Sequence, residues 1–168
     1  MSAGERGGAA EDRRAEARAA ADKLGATLQV HHFPDTRIDP ADLIPALEAD
    51  VRELQPRIVL CPSCRDDHQD HRAVHDAVVV ATRDARCTVL AYITPSAAER
   101  FRPNWFVPLN ETAMACKLAA LAHHTSQRAR AYLAEEYVRA MGRYWAMVER
   151  AQAPFVEPFE LVRHREAP

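Results

Sequence analysis

No surplus of positive charge runs through this chain. Its 168 residues carry 22 Lys plus Arg against 24 Asp plus Glu, a formal net charge of -2. That balance excludes the basic footprint by which a domain tracks nucleic-acid phosphates. Cysteine is scarce too. Cys61, Cys64, Cys87 and Cys116 are too few and too scattered for a secreted disulfide scaffold. No apolar run approaches the roughly 20 residues that cross a bilayer. Met1-Ser2-Ala3-Gly4-Glu5 opens no apolar signal region, so a cytoplasmic protein is expected. There is no internal repeat, long linker or low-complexity segment. What remains is ordinary for a globular domain, with 48% apolar and 27% charged residues. This length implies a single domain over residues 1–168 with a sizeable core, its Gly/Ala-rich residues 1–8 frayed.

The pattern alternates between helix and strand. Residues 9–24 are rich in Ala, Arg and Glu, stop at Gly25, and predict a helix. Thr27 to Phe33 reads as a strand stopped by Pro34-Asp35. A helix then runs to about Leu54, capped by Asp39 or Asp42. Pro45 fits best in a first turn, which favours Asp42. Arg57 to Cys61 reads as a buried strand, His71 to Arg83 as a helix, and Cys87 to Ile93 as a strand covered on both faces. Asn110 can cap a helix through about Gln127. Leu133, Tyr137, Val138, Met141, Trp145 and Val148 recur at helical spacing, as core packing does. Phe155 to Val162 reads as an edge strand. The alternation indicates an α/β sandwich with a mostly parallel sheet and a helical C-terminal third.

The densest chemistry is Arg65-Asp66-Asp67-His68-Gln69-Asp70-His71, two imidazoles and three carboxylates directly after a strand. In open α/β sheets, reactive groups gather past the carboxyl ends of strands. A charge-rich loop is by default a solvated one; two histidines bracketing an aspartate point instead to a metal or acid/base site. Imidazole and carboxylate are the usual ligands of a catalytic zinc, which keeps one position open for water. A second carboxylate can hold an imidazole in one tautomer. Residue types and spacing leave open which histidine does which.

Asp66-Asp67-His68-Gln69-Asp70-His71 resembles the D-x-H-x-D-H motif of the PIG-L/LmbE-like family of zinc-dependent sugar de-N-acetylases. Gly4-Glu5-Arg6-Gly7, with the helix over Arg13 to Ala20, is similar to that family's threonine-x-glycine-glutamate turn and the helix after it. Lys117-Leu118-Ala119-Ala120-Leu121 with His124-Thr125-Ser126-Gln127 resembles K-x-x-A-L…H-x-S-Q, and Glu157 to Leu161 its E-x-F ending. The likeness implies a Rossmann-like three-layer sandwich. It implies His71 as a zinc (or other divalent metal) ligand, His68 as general acid, and Asp70 as the carboxylate partner of His68. It leaves Asp66 and His124 in substrate-binding or supporting roles. The implied activity is removal of an N-acetyl group from an N-acetylglucosamine-type amino sugar or its glycoconjugate. The implied partner is that small molecule, with no nucleic acid and no membrane segment, and a homo-oligomer left open.

One family element is absent. The first motif, P-H-P-D-D-E, supplies two further zinc ligands and the water-activating carboxylate, and no such string occurs in the 168 residues. The sandwich is therefore expected to lack its first two strands, those that separate the strand at Thr27 from the strand at Arg57. An N-terminally truncated, incomplete member is the expectation. A second reading is a catalytically incomplete remnant or accessory module of the same fold. A third is a thiol redox protein built on Cys61-Pro62-Ser63-Cys64, a C-x-x-C at a strand end. His75 completes an H-x-x-x-H with His71; without the Glu of H-E-x-x-H it reads as helix surface.

Overall fold

The computed structural model describes residues 9–165. The expected fraying of residues 1–8 and the Gly4 to Gly7 turn lie outside the described residues. Among those described are five α-helices and four strands, hydrogen-bonded in the order β1-β2-β4-β3. The architecture is mixed α/β. The chain divides into two compact units. One holds residues up to Asp35 and Phe106–Glu157, the other Thr36–Trp105 and the segment from Pro158 onward.

The second unit carries the imidazole cluster. Its α2 (Pro40–Leu54) is capped by Asp39, whose carboxylate accepts the Ala41 N–H at 2.8 Å. Asp42 was the expected cap, but Pro40 occupies the first helical position, where a missing N–H costs nothing. Pro45 consequently lies inside the helix. β1 (Ile58–Pro62) pairs in parallel with β2 (Thr88–Tyr92), and β2 pairs antiparallel with β4 (Phe155–Arg163). The sheet is thus mixed, and β4 is interior rather than an edge. β2 is covered as its apolar run requires, with Val89 and Ala91 fully buried. β1 is not buried as its sequence suggests. It forms the sheet edge, and Ile58 and Leu60 stay 59% and 53% exposed while Cys61 is buried. α3 (Gln69–Ala81) packs Ala73, Val74, Ala77 and Val78 inward against α2 and β1.

The expected strand at Thr27–Phe33 does not form. Only Phe33 makes a bridge, and most of the segment is exposed. A strand needs a partner for its N–H and C=O groups, and no ladder runs beside this segment among the described residues.

The first unit is built from α1 (Ala10–Leu24), β3 (Trp105–Leu109), α4 (Glu111–Leu121), α5 (Glu135–Val148) and the first residues of β4. α1 ends on Gly25, whose φ of 66° is the left-handed conformation that glycine adopts without strain. Asn110 caps α4 by accepting the Ala113 N–H at 2.8 Å. α4 stops at Leu121, short of the expected Gln127. Thr125–Gln127 is a separate 3-10 turn, because its hydroxyls and N–H groups bond elsewhere. Met114, Val138 and Phe155 form the core, with Leu109, Leu118 and Leu121 packed against them.

Candidate active site

The D-x-H-x-D-H loop links β1 to α3, so its position follows from the parallel pair. His68 is the N-cap of α3; its Nδ1 accepts the Asp70 N–H at 3.2 Å. His71 sits in the first turn. The two rings stack, with centroids 4.7 Å apart and planes 26° from parallel. Both residues are half-buried at the start of the helix.

Asp66 organises this pair. Only 1% exposed, it accepts the His68 N–H at 2.8 Å through Oδ1 and faces His71 Nδ1 at 2.7 Å through Oδ2. The Ser96 hydroxyl donates to Oδ1 at 2.6 Å, and the Thr94 hydroxyl donates to Oδ2. Burial pushes the Asp66 pKa up. The hydrogen bonds from Ser96, Thr94, His68 and His71 outweigh that and hold it at about 2. The group is therefore an anion at neutral pH. A buried anion against Nδ1 fixes the proton there and leaves Nε2 of His71 as the unprotonated donor atom. Arg72 closes the loop, donating to the Asp66 carbonyl at 2.7 Å.

Asp70 faces elsewhere. Its carboxylate accepts from the Thr36 N–H at 2.7 Å and the Ile38 N–H at 3.3 Å, tying the segment before α2 to α3. The resemblance pairs Asp70 with the His68 ring; in the structure the contact between them is Asp70 N–H to His68 Nδ1.

His75, read as surface, is 7% exposed. Its Nδ1 donates to the Pro62 carbonyl at 2.9 Å and lies 3.7 Å from Cys61 Sγ. The inward face of α3 takes it because that carbonyl, at the end of β1, satisfies it. Burial, then the nearby Cys64 and Glu160, push the Cys61 thiol up to about 12. A thiol held neutral is a poor nucleophile.

Three groups escaped the sequence reading. Thr94 and Ser96 follow β2 and supply the hydroxyls on Asp66; a T-x-S after a strand is too common to signal a site. Glu160, 6% exposed, accepts from the Ser63 hydroxyl at 2.6 Å, the Arg65 guanidinium at 2.8 Å and the Arg102 N–H at 2.8 Å. It braces the loop that holds Asp66.

His124 lies in the first unit. Its Nδ1 is 3.9 Å from a Glu16 oxygen. Burial, Arg13 and His123 push its pKa down against the opposing pull of Glu16.

The chemistry of the donor set bears on a metal. Among the described residues, no three His, Cys, Asp or Glu side chains are grouped so as to hold an ion. His71 Nε2 is one donor, and Asp66 is spent on hydrogen bonds. Among the described residues, the donor set does not fit a zinc centre.

The mixed α/β fold, with four strands and five helices among the described residues, resembles the folds of solved structures. The A40926 pseudoaglycone deacetylase Dbv21 superposes with a TM-score of 0.78 at 23% identity, over 100% of this chain and 81% of that one. The conserved protein TT1542 of Thermus thermophilus gives 0.76 at 25% identity, over 96% and 78%. The family model for PIG-L, described as GlcNAc-PI de-N-acetylase, matches residues 1–82. The uncharacterized deacetylase YaiS of Escherichia coli K12 is 37% identical over 123 residues, 68% of this chain. The chain spans 66% of that relative's length. The chain belongs to the PIG-L family. Among the described residues, no helix is long and apolar enough to cross a membrane.

Proposed function

We propose that this chain acts as a deacetylase, hydrolysing the N-acetyl group of an N-acetylglucosamine-type amino sugar or its conjugate. The observation that carries the reading is the 2.7 Å contact from buried Asp66 to His71 Nδ1, with the His68 ring stacked on the same imidazole. His68 is the proton donor: as a water oxygen bonds to the acyl carbon and the C–N bond breaks to leave acetate, it protonates the departing amine nitrogen. His71, its tautomer set by Asp66, offers Nε2 as a metal donor. Asp70 holds the loop by its backbone contacts, and His124 supports the H-x-S-Q turn. The exposed edge of β1, with Ile58 and Leu60, supports the reading that two strands of the family sandwich belong beside it.

The donor set favours a second reading, a module that keeps the fold without a metal centre. Acetate release from N-acetylglucosamine conjugates, measured with and without added zinc, separates them. Zinc-stimulated release that disappears in His68→Ala supports the deacetylase. A folded chain that takes up no zinc and releases no acetate overturns it in favour of the module.

A further inference from the structure

We propose that the cavity at the starts of β1 and β2 binds a small polyanion, the phosphate groups of a phosphorylated metabolite. This cavity has a volume of about 750 Å³ and lies wholly within the second unit. It sits at the opposite ends of the strands from the D-x-H-x-D-H loop, so it is separate from the candidate active site. The size is that of a small-molecule site, whose range is roughly 300–1,000 Å³. Its wall carries four guanidinium groups, Arg52, Arg57, Arg83 and Arg86, against two carboxylates, Glu48 and Asp84. Both carboxylates are engaged by Arg83, at 3.4 Å to Glu48 and 3.3 Å to Asp84. Among the described residues, the wall holds no further carboxylate to balance the other three guanidiniums. This surplus arises in a chain whose net charge is -2.

Helix ends account for part of the cluster. Arg52 lies in the last turn of α2, and Arg83 follows the end of α3, where a cation complements the carbonyl end of a helix dipole. That account does not reach Arg57 or Arg86. Arg57 directly precedes β1, and Arg86 stands two residues before β2; Arg57 is exposed and Arg86 is exposed. The two strand starts are locked side by side, because the Arg57 carbonyl accepts the Thr88 N–H at 2.9 Å. Two arginines just ahead of adjacent parallel strands, both lining one concavity, present planar donors to the same ligand. Guanidinium forks match phosphate oxygens bidentately. Val51, Pro56 and Ala85 give the remaining wall an apolar character suited to the body of a metabolite.

The test is titration calorimetry of the intact chain with inorganic pyrophosphate at constant ionic strength. The expected result is saturable binding of one equivalent, weakened about tenfold or more in an Arg57→Gln, Arg86→Gln double variant. Arg18→Gln, an exposed site on α1, leaves it unchanged. Non-saturable heats, or equal weakening by Arg18→Gln, would mean only diffuse attraction and would overturn the site. Amide shift mapping on the unaltered chain is independent of how the variants fold: shifts must centre on residues 52–57 and 83–86. A single-stranded oligonucleotide that displaces pyrophosphate from those amides with higher affinity would also overturn the small-ligand assignment.

Discussion

The carboxylate of Glu16 receives both the backbone N–H and the hydroxyl of Ser126, at 2.6 and 2.8 Å, across 110 residues of sequence. The Thr125 hydroxyl adds a bond at 2.9 Å and Arg13 one at 3.3 Å. This is how the His124-Thr125-Ser126-Gln127 turn is fastened to α1. The Ser126 N–H is the largest influence on the Glu16 pKa, offset in part by burial. The two hydroxyls and Arg13 carry the pKa down to about 2.

Glu16→Gln should therefore lower the melting temperature at pH 7. The pH dependence has a definite sign. A depressed folded pKa stabilises above the ordinary carboxyl value of 4.5 and is lost as pH falls towards about 2. The parent chain and the variant should converge in circular-dichroism melts between pH 4.5 and 2. A constant gap across that range would mean that the charge of Glu16 is not what fastens the turn.

Part of this was legible in the sequence, and the limits have physical causes. The run Val89-Leu90-Ala91 announces a covered strand, and the structure buries it. Arg57 to Cys61 looks equally apolar, but exposure depends on what lies beside the strand, which its own residues do not encode. Thr27 to Phe33 has strand composition without a partner. The cluster of imidazoles and carboxylates was legible, but the spacing left open whether the two rings face the same way. It also left open whether Asp66 or Asp70 holds an imidazole, because Asp66 reaches His71 only through the turn that His68 starts as helix cap. Thr94 and Ser96 are brought in by the β1–β2 pairing, about 30 residues downstream.

Asp66→Asn tests the buried anion directly. Asparagine keeps an oxygen for Ser96 and the His68 N–H but cannot supply an anion to His71 Nδ1. The imidazole should then populate the other tautomer, read from long-range nitrogen–proton NMR correlations. Under the deacetylase reading, acetate release falls about 10–100-fold, the usual effect of losing an outer carboxylate. An unchanged tautomer would remove Asp66 from this role.

His68 carries two duties that substitutions can separate. His68→Ala loses the N-cap acceptor and should cost about 1 kcal/mol in denaturant unfolding. His68→Asn restores a cap acceptor but has no titrating proton. The expected pattern is stability recovered in the asparagine variant with acetate release absent from both. His71→Ala should additionally lose any bound metal, whereas His68→Ala should retain it. Equal metal loss in the two would mean that the roles of 68 and 71 are misassigned.

Gly142 is a close-approach position on α5. A Cβ there would lie 3.0 Å from Met114 Cε and 3.1 Å from Phe155 Cβ. Alanine is the better helix former by about 1 kcal/mol, so the sign of Gly142→Ala depends on packing. Met114 ends in a flexible thioether, but the Phe155 Cβ sits on a buried strand and has little room to yield. Overpacking costs about 1–3 kcal/mol. A net loss of about 1 kcal/mol in denaturant unfolding is therefore expected, and a more stable variant would show that the α5 contact relaxes freely.

The C-x-x-C pair bears on the thiol alternative. A redox nucleophile is a low-pKa, accessible thiolate. Cys61 is 1% exposed, and its thiol is pushed up to about 12 by burial, Cys64 and Glu160. Cys64 is exposed. Under native conditions at mildly alkaline pH, iodoacetamide should alkylate Cys64 within minutes. Cys61 should react only after unfolding, as read by peptide mass spectrometry. The order matters more than the rate: reaction at Cys61 first would require the strand end to open and would revive the redox reading.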